Sequence, residues 1–343
     1  MNHTTAIVIL NWNGVKHLKT FLPSVVAHSQ QAEIIIADNA STDNSNEWLK
    51  EHYPNIRIIT LHQNYGYAGG YNEALKLVNA EYLVLLNSDV EVTENWLDPI
   101  IDCLINNPSI AACQPKIKSY TDKNYFEYAG AAGGYIDYFG IPFCKGRVLD
   151  TAEIDSNQYN ATSPIFWASG ACLVIRNNIF QKTQGFDVDF FAHMEEIDLC
   201  WKIHRLGYSI QYIPKSTVYH LGGATLHKSN PKKTYLNVRN SLWMLQKHLP
   251  ATKLVPIILS RMLLDGIAAL NFLRMGQWQH LVAVFNAHMS FYFSSKNKGK
   301  RKALSSLPYY YNNTPLILKK SIIRLYYFRG KKTYASIFDR TDS

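Results

Sequence analysis

The sequence predicts an α/β protein built on a mostly parallel sheet covered on both faces. Three observations lead there. Over the first 117 residues, short β-rich apolar runs alternate with segments of helical spacing, the pattern of βαβ units. The run YLVLL at 82–86 is apolar throughout, as a strand buried on both faces is. And strand after strand stops on Asn or Asp, at the carboxyl ends where such sheets place their ligands.

In chain order, residues 6–10, 33–37, 56–61, 82–86 and 110–117 read as strands, and Val15–His28, 43–51, 68–78 and 93–106 as helices. Residues 118–163, rich in Tyr, Gly and Asp, lack periodicity and predict a long excursion carrying a hairpin, the kind of loop that often serves as a lid. A strand at 171–175, a helix at 195–206 stopped by Gly207, and short strands at 209–213 and 217–220 complete the alternation. Beyond residue 230 the pattern turns helical, at 235–248, 255–274 and 277–293. Residues 255–273 are apolar enough for a membrane span. Arg261 and Asp265 interrupt them at a cost of ~2.5–3.5 kcal/mol each at the centre of a lone span, so an interfacial or packed helix is the better reading.

The 343 residues are too many for one small core and predict a large domain plus an appendage. The net charge of +9 conceals an asymmetry: residues 1–227 carry −8 and residues 228–343 carry +17. The expected division is therefore an acidic unit over 1–227, with an alternating first part at 1–117 and a second part at 118–227, followed by a basic helical region over 228–343. Five scattered cysteines without C-x-x-C spacing favour reduced, buried thiols over disulfides or zinc. No signal-peptide pattern opens the sequence, so the expected location is the cytosol.

Four strand ends should share one edge of the sheet: Asn11-Trp12-Asn13, Asp38-Asn39, the loop 64–70, and Asn87-Ser88-Asp89. A nucleotide diphosphate needs an acceptor for a base or ribose, backbone near phosphate, and a carboxylate to hold a divalent cation; Asp38 suits the first role and Asp89 the last. Each also has a plain structural reading. Asp38 could cap the turn before the next helix, Asp89 could cap the helix at 93, and Gly66, Gly69 and Gly70 could make only a tight turn. No G-x-G-x-x-G follows the first strand, which counts against a dinucleotide dehydrogenase. In FFAHMEEIDLCW, Glu195, Glu196 and Asp198 stand where a helix begins. They either complement its N-terminus or supply a general base of raised pKa at a semi-buried wall. His220 ends a strand and is either structural or a ligand for Mn²⁺, with His193 and His227 as weaker candidates.

Taken in order, IVILNWNG (7–14), IIIADNASTDNS (34–45), NYGYAGGYN (64–72), LVLLNSDVEV (83–92), GACLVI (170–175), EEIDLCWKIHRLGY (195–208) and YHLGG (219–223) resemble the family 2 glycosyltransferases of GT-A fold, especially a rhamnosyltransferase-like bacterial branch. The resemblance makes 1–227 a catalytic unit, with a nucleotide half at 1–117 and an acceptor half at 118–227, and implies a nucleotide pocket at Asn11, Trp12, Asn13, Asp38, Asn64, Gly66, Asn87, Ser88 and Gly170. It also implies a divalent metal, Mn²⁺ or Mg²⁺, at Asp89 and His220. Asn87 stands where the family's D-x-D motif has its first Asp. Glu196 falls on the catalytic base of the Glu-Asp motif, with Glu195 and Asp198 as alternatives. The implied reaction is a single inverting displacement, in which a nucleoside-diphosphate sugar, UDP- or dTDP-linked, donates to a hydroxyl of a glycan or lipid-linked acceptor in cell-surface polysaccharide synthesis. The second reading is a non-catalytic nucleotide- or polysaccharide-binding component of an assembly. The basic tail, with SFYFSSKNKGKRK at 290–302, suits an anionic membrane surface at the inner face of the plasma membrane, or else helices packed on the catalytic unit. No nucleic-acid motif accompanies it, so nucleic acid is not an expected partner.

Overall fold

A computed structural model describes residues 4–222, 230–294 and 314–338, together with Leu304, Leu307 and Pro308. His227, the lysine-rich segment beyond residue 294 and the expected boundary at 227/228 lie outside the described residues.

The nucleotide half folds as its alternation predicts. Strands β1 (Thr5–Asn11), β2 (Glu33–Asp38), β3 (Arg57–Thr60) and β4 (Tyr82–Asn87) are parallel, in the order β3-β2-β1-β4. Both faces are buried because successive side chains point to opposite sides. Ile7, Ile9, Val84 and Leu86 pack with Leu18, Leu22 and Val25 of α1 (Val15–His28) and with Ile100 and Leu104 of α4 (Asp98–Asn106). Ala6, Val8, Leu83 and Leu85 pack on the other side with Ala68, Tyr71 and Leu75 of α3 (Gly66–Leu75).

Beyond β4 the sheet becomes mixed. Strand β12 (Cys172–Arg176) runs antiparallel between β4 and β6 (Ile110–Ser119). Strand β13 (Ser209–His220) runs parallel to β6, and the edge strand β11 (Ser163–Pro164) pairs with β13. The two short strands expected at 209–213 and 217–220 are one strand with a register shift between Ile213 and Thr217. Pro214, lacking an N–H for the ladder, sits within that irregularity. The helix expected from residue 93 starts instead at Asp98, because Val90–Val92 form a strand, β5, that pairs antiparallel with β13. Asp89 therefore lies in a strand-to-strand turn and caps no helix.

The excursion is more ordered than a lid with a hairpin. Strands β7 (Gly134–Asp137), β8 (Pro142–Cys144), β9 (Arg147–Val148) and β10 (Thr151–Ala152) make an antiparallel meander, and β14 (Ile317–Leu318) adds to its edge in parallel. The basic region is thus woven into the unit it was expected to append. Helix α7 (Pro231–His248) leads into α8 (Ala251–Arg274) and α9 (Trp278–Phe293), and the three pack on one another. All five cysteines are free, and four are buried.

Candidate active site

The parallel register brings the strand ends together, Asn11 opposite Asp38 and Leu10 opposite Asn87. Asn11 is buried; its Nδ2 donates to Asp38 Oδ1 (3.3 Å) and Ser41 Oγ (3.1 Å). Asp38 Oδ2 accepts from the Ser41 N–H (3.2 Å) and Asn46 Nδ2 (3.0 Å), so the turn-holding reading describes its contacts. Asn13, in the left-handed region at φ 51°, accepts through Oδ1 from the N–H groups of Thr42 (2.7 Å) and Asp43 (3.2 Å). Trp12 differs from these neighbours: its ring is 53% exposed at the edge, an open aromatic face.

Asn39 links this edge to the next loop. Its Nδ2 donates to Asn64 Oδ1 and the Gly66 carbonyl, both at 3.0 Å, and its Oδ1 accepts from the Tyr65 N–H (3.0 Å). Gly66 has φ +70°, and a Cβ there would stand 2.6 Å from the Phe191 ring, so only glycine fits. At Gly170 a Cβ would lie 2.7 Å from the Tyr67 hydroxyl, which donates to the Gly170 carbonyl (2.7 Å), so a side chain there would have to displace that hydroxyl.

Strand β13 carries His220 to the β4–β5 turn. Its Nε2 is 3.2 Å from Asp89 Oδ1 and 3.4 Å from Asn87 Nδ2, while its Nδ1 faces Glu127 Oε2 at 3.4 Å. Burial works against the charge on His220, but Asp89 and then Glu127 outweigh it and raise its pKa to about 10. Burial likewise opposes ionisation of Asp89, yet His220 holds its carboxyl below the usual range. Ser88 is half-buried in the same turn, its Oγ facing Gly14.

The carboxylate pair comes from α6 (Glu195–Arg205). The chain enters this helix through Phe191, His193 and Met194, all at positive φ (64°, 69° and 72°). Non-glycine residues held there cost of order 1–3 kcal/mol each, so something must fix them. Helix α7 does. Asn240 Nδ2 lies within 2.7–3.0 Å of the carbonyls of Phe190, Ala192 and His193, and Arg239 Nη2 reaches those of Asp189 and Phe190. Glu195 Oε2 and Glu196 Oε2 are buried without a hydrogen-bond partner, and burial pushes both carboxyls up.

Asp198 is placed otherwise. It is fully buried, absent from the cavity wall, and holds Lys247 Nζ (2.7 Å) and His248 Nε2 (3.0 Å). Burial opposes its charge, but Lys247 and His248 outweigh that and drive its pKa far below the carboxylate range. An anion pinned in this way is a poor proton acceptor, which corrects the expectation that the base might slip to Asp198.

A cavity of about 440 Å³ joins the two clusters. Asn87, Asp89, His220, Glu195 and Glu196 line it together with Tyr67, Gly170 and Trp167, and Arg261 of α8 closes part of its wall. His193 also lines it, kept neutral by burial and by Lys233. Among the described residues no three His, Cys, Asp or Glu side chains form a metal cage. Asp89 and His220 would fit the smaller role that a cation on a diphosphate requires, one hard oxygen and one imidazole nitrogen converging in a cavity, once the cation displaces the proton that Asp89 and Glu127 hold on His220.

Glu127, Arg239 and Asn240 were not singled out from the sequence, and Asn39 was named only as part of a strand end. Glu127 sits in the aperiodic excursion and Asn240 in the middle of a basic helix, where nothing local distinguishes them.

Residues 6–172 match the family described as Glycosyl transferase family 2. This segment belongs to the family 2 glycosyltransferases. The chain is a glycosyltransferase of GT-A fold, and its remaining similarities agree. N-acetylglucosaminyl-diphospho-decaprenol L-rhamnosyltransferase of Mycobacterium tuberculosis (strain CDC 1551 / Oshkosh) is 26% identical over 239 residues, 64% of this chain and 76% of that protein. Rhamnosyltransferase WbbL of Escherichia coli (strain K12) is 21% identical over 221 residues, 62% of this chain and 82% of that protein. Among solved structures, GalNAc-T7 with UDP, GalNAc and Mn²⁺ superposes with a TM-score of 0.60 at 17% identity, over 73% of this glycosyltransferase and 49% of that chain.

Proposed function

We propose that this glycosyltransferase moves a sugar, with inversion, from a UDP- or dTDP-linked donor to a hydroxyl of a glycan or lipid-linked acceptor during cell-surface polysaccharide synthesis. The observation that carries the reading is the shared cavity: Asp89 and His220 line it with Glu195 and Glu196, whose Oε2 atoms have no hydrogen-bond partner among the described residues. The rhamnosyltransferase relatives support the substrate class.

In this reading the donor's diphosphate lies at the Asp89 end, with Trp12 and the 11–13 and 38–41 turns beside the nucleoside. A divalent ion, Mn²⁺ or Mg²⁺, held by Asp89 and His220 would neutralise the charge gathering on the diphosphate. Glu196 accepts the proton of the acceptor hydroxyl while the oxygen attacks the anomeric carbon, and the bond from that carbon to the diphosphate breaks, its electron pair leaving on the nucleoside diphosphate. Its raised pKa keeps it basic enough for that transfer. Glu195, buried beside it and also raised, holds its own proton and spares the site a second negative charge. Positioning in a walled cavity supplies much of the remaining acceleration. A lipid-linked acceptor would bring the enzyme to a membrane surface.

The test is calorimetry of UDP, dTDP and GDP with Mn²⁺, Mg²⁺ or EDTA, followed by transfer assays with Glu196→Gln. Metal-dependent binding of one nucleotide, with transfer lost and binding kept in Glu196→Gln, supports the reading. Transfer at the wild-type rate by Glu196→Gln removes Glu196 as base.

A further inference from the structure

The two charges that break the apolar run of α8 are both turned inward. Arg261 is buried; it donates to the Phe139 carbonyl (3.1 Å) and Ser241 Oγ (2.8 Å), and pairs with Asp265 (3.3 Å). Asp265 in turn meets His288 Nε2 of α9 at 3.1 Å. The opposite face holds Val255, Leu259, Met262, Leu263, Ile267 and Leu270, each 45–68% exposed. At 100° per residue these six side chains cover an arc of roughly 140°, wider than the stripe a buried amphipathic face needs. Every other exposed residue between 255 and 270 is Pro256, Gly266 or Ala268; Ser260, partly exposed at the margin of the stripe, turns its hydroxyl back to the Pro256 carbonyl (3.0 Å), so the face carries no charged side chain. Trp278 and Phe285 of α9, each 59% exposed, extend the apolar surface onto the packed neighbour.

We infer that the outward stripe of α8, continued by α9, is a docking surface for an anionic lipid bilayer, with α8 lying along the interface and not crossing it. Length alone would let a helix of 24 residues cross. But Leu254, Ile257, Arg261 and Ala269 are buried against the protein, and Arg261 lines the catalytic cavity. One side of α8 is thus part of the enzyme and only the other is available to lipid.

Charge decides between a bilayer and a second copy of the chain. Residues 228–343 hold 20 Lys and Arg against 3 acidic residues. Two such regions repel one another, whereas an anionic surface attracts them. The ends of the stripe fit as well, with Lys253 at one and Arg274 at the other. The consequence is a short reach. With α8 in the headgroup layer, the cavity lies about one helix diameter, ~10 Å, from lipid. This deepens the lipid-linked acceptor reading and takes from it only the purpose of the contact.

The test is flotation of the full chain with phosphatidylglycerol–phosphatidylcholine vesicles, at low salt and at salt high enough to screen surface charge. Wild type is expected to float in both. Leu263→Glu/Ile267→Glu should lose roughly tenfold or more in partitioning at high salt. The milder Leu259→Ser/Ile267→Ser should fall between them. All three proteins should melt together, since the altered side chains are exposed. Equal partitioning of wild type and both variants would overturn the inference, as would wild-type binding that vanishes at high salt. A wild-type dimer in sedimentation velocity, dissociated by the Glu variant and indifferent to vesicles, would assign the stripe to a second copy instead. Flotation does not depend on catalysis: a protein that floats yet transfers no sugar keeps this inference and loses the acceptor reading.

Discussion

Asp89 Oδ1 and His220 Nε2 stand 3.2 Å apart although 130 residues separate them in the chain, because β5 pairs with β13 immediately beyond the Asp89 turn. The last residue of β13 thereby faces the end of the most apolar strand of the sheet. Behind His220, Glu127 Oε2 lies 3.4 Å from Nδ1, a second carboxylate beside the ring.

Removing this carboxylate should disable the diphosphate end alone. Asp89→Asn keeps the shape but loses the charge. Mn²⁺-dependent nucleotide binding is expected to weaken by about 10–100-fold, with the far-ultraviolet spectrum unchanged. Calorimetry with and without EDTA checks this; equal affinity for wild type and variant would take Asp89 out of the nucleotide site.

The carboxylate pair predicts a pH profile. A general base works deprotonated, and burial raises the Glu196 carboxyl to about 7. Transfer should therefore be weak in acid and rise through neutrality, not level off above pH 5 as an ordinary glutamate would allow. The rate in saturating substrate, followed from pH 5 to 9, reads the limb. In Glu196→Gln the limb should vanish with the activity, while nucleotide binding persists.

These features were unequally legible in the sequence. The parallel half could be read because its strands are apolar on both faces and its helices are spaced between them; Asp89 stood out at the end of the purest run. The second sheet could not, since its strands are two to four residues long and leave no period to detect. Asp198 looked like a third acid of a catalytic cluster because its neighbours in sequence are Glu195 and Glu196. Its partners in space, Lys247 and His248, come from a helix about fifty residues away. Local pattern reports which face is buried, and it is silent about which distant side chain waits there.

Asp198 accordingly predicts a stability effect. Its folded-state pKa lies far below the unfolded value near 3.9, so its contribution is complete above that value and is lost as pH falls below it. Asp198→Ala leaves Lys247 and His248 buried with one anion fewer, which should cost about 3–5 kcal/mol. Urea unfolding at pH 7 measures this. The gap between wild type and variant should narrow as the pH is lowered toward 3; a gap independent of pH would mean that the ion pair is not its source.

Asn240 predicts an effect on catalysis without touching substrate. Its side-chain amide donates to three carbonyls of the loop that delivers Glu195 and Glu196, a loop with three non-glycine residues at positive φ. Asn240→Ala removes the donor to the Ala192 and His193 carbonyls, while Arg239 still serves that of Phe190, and should cost about 1–3 kcal/mol of stability. The loop should relax from its left-handed turns and shift Glu196, lowering kcat by roughly 10–100-fold, as small misplacements of catalytic groups do. Nucleotide affinity, set at the Asp89 end, should stay the same. Asn240→Asp separates clamping from simple packing. It has the same shape, but it presents carboxylate oxygens to three carbonyl oxygens, and repulsion replaces donation. If the amide acts as a clamp, Asn240→Asp must be worse than Asn240→Ala in both kcat and melting temperature. If it merely fills space, the isosteric Asp must be the milder of the two.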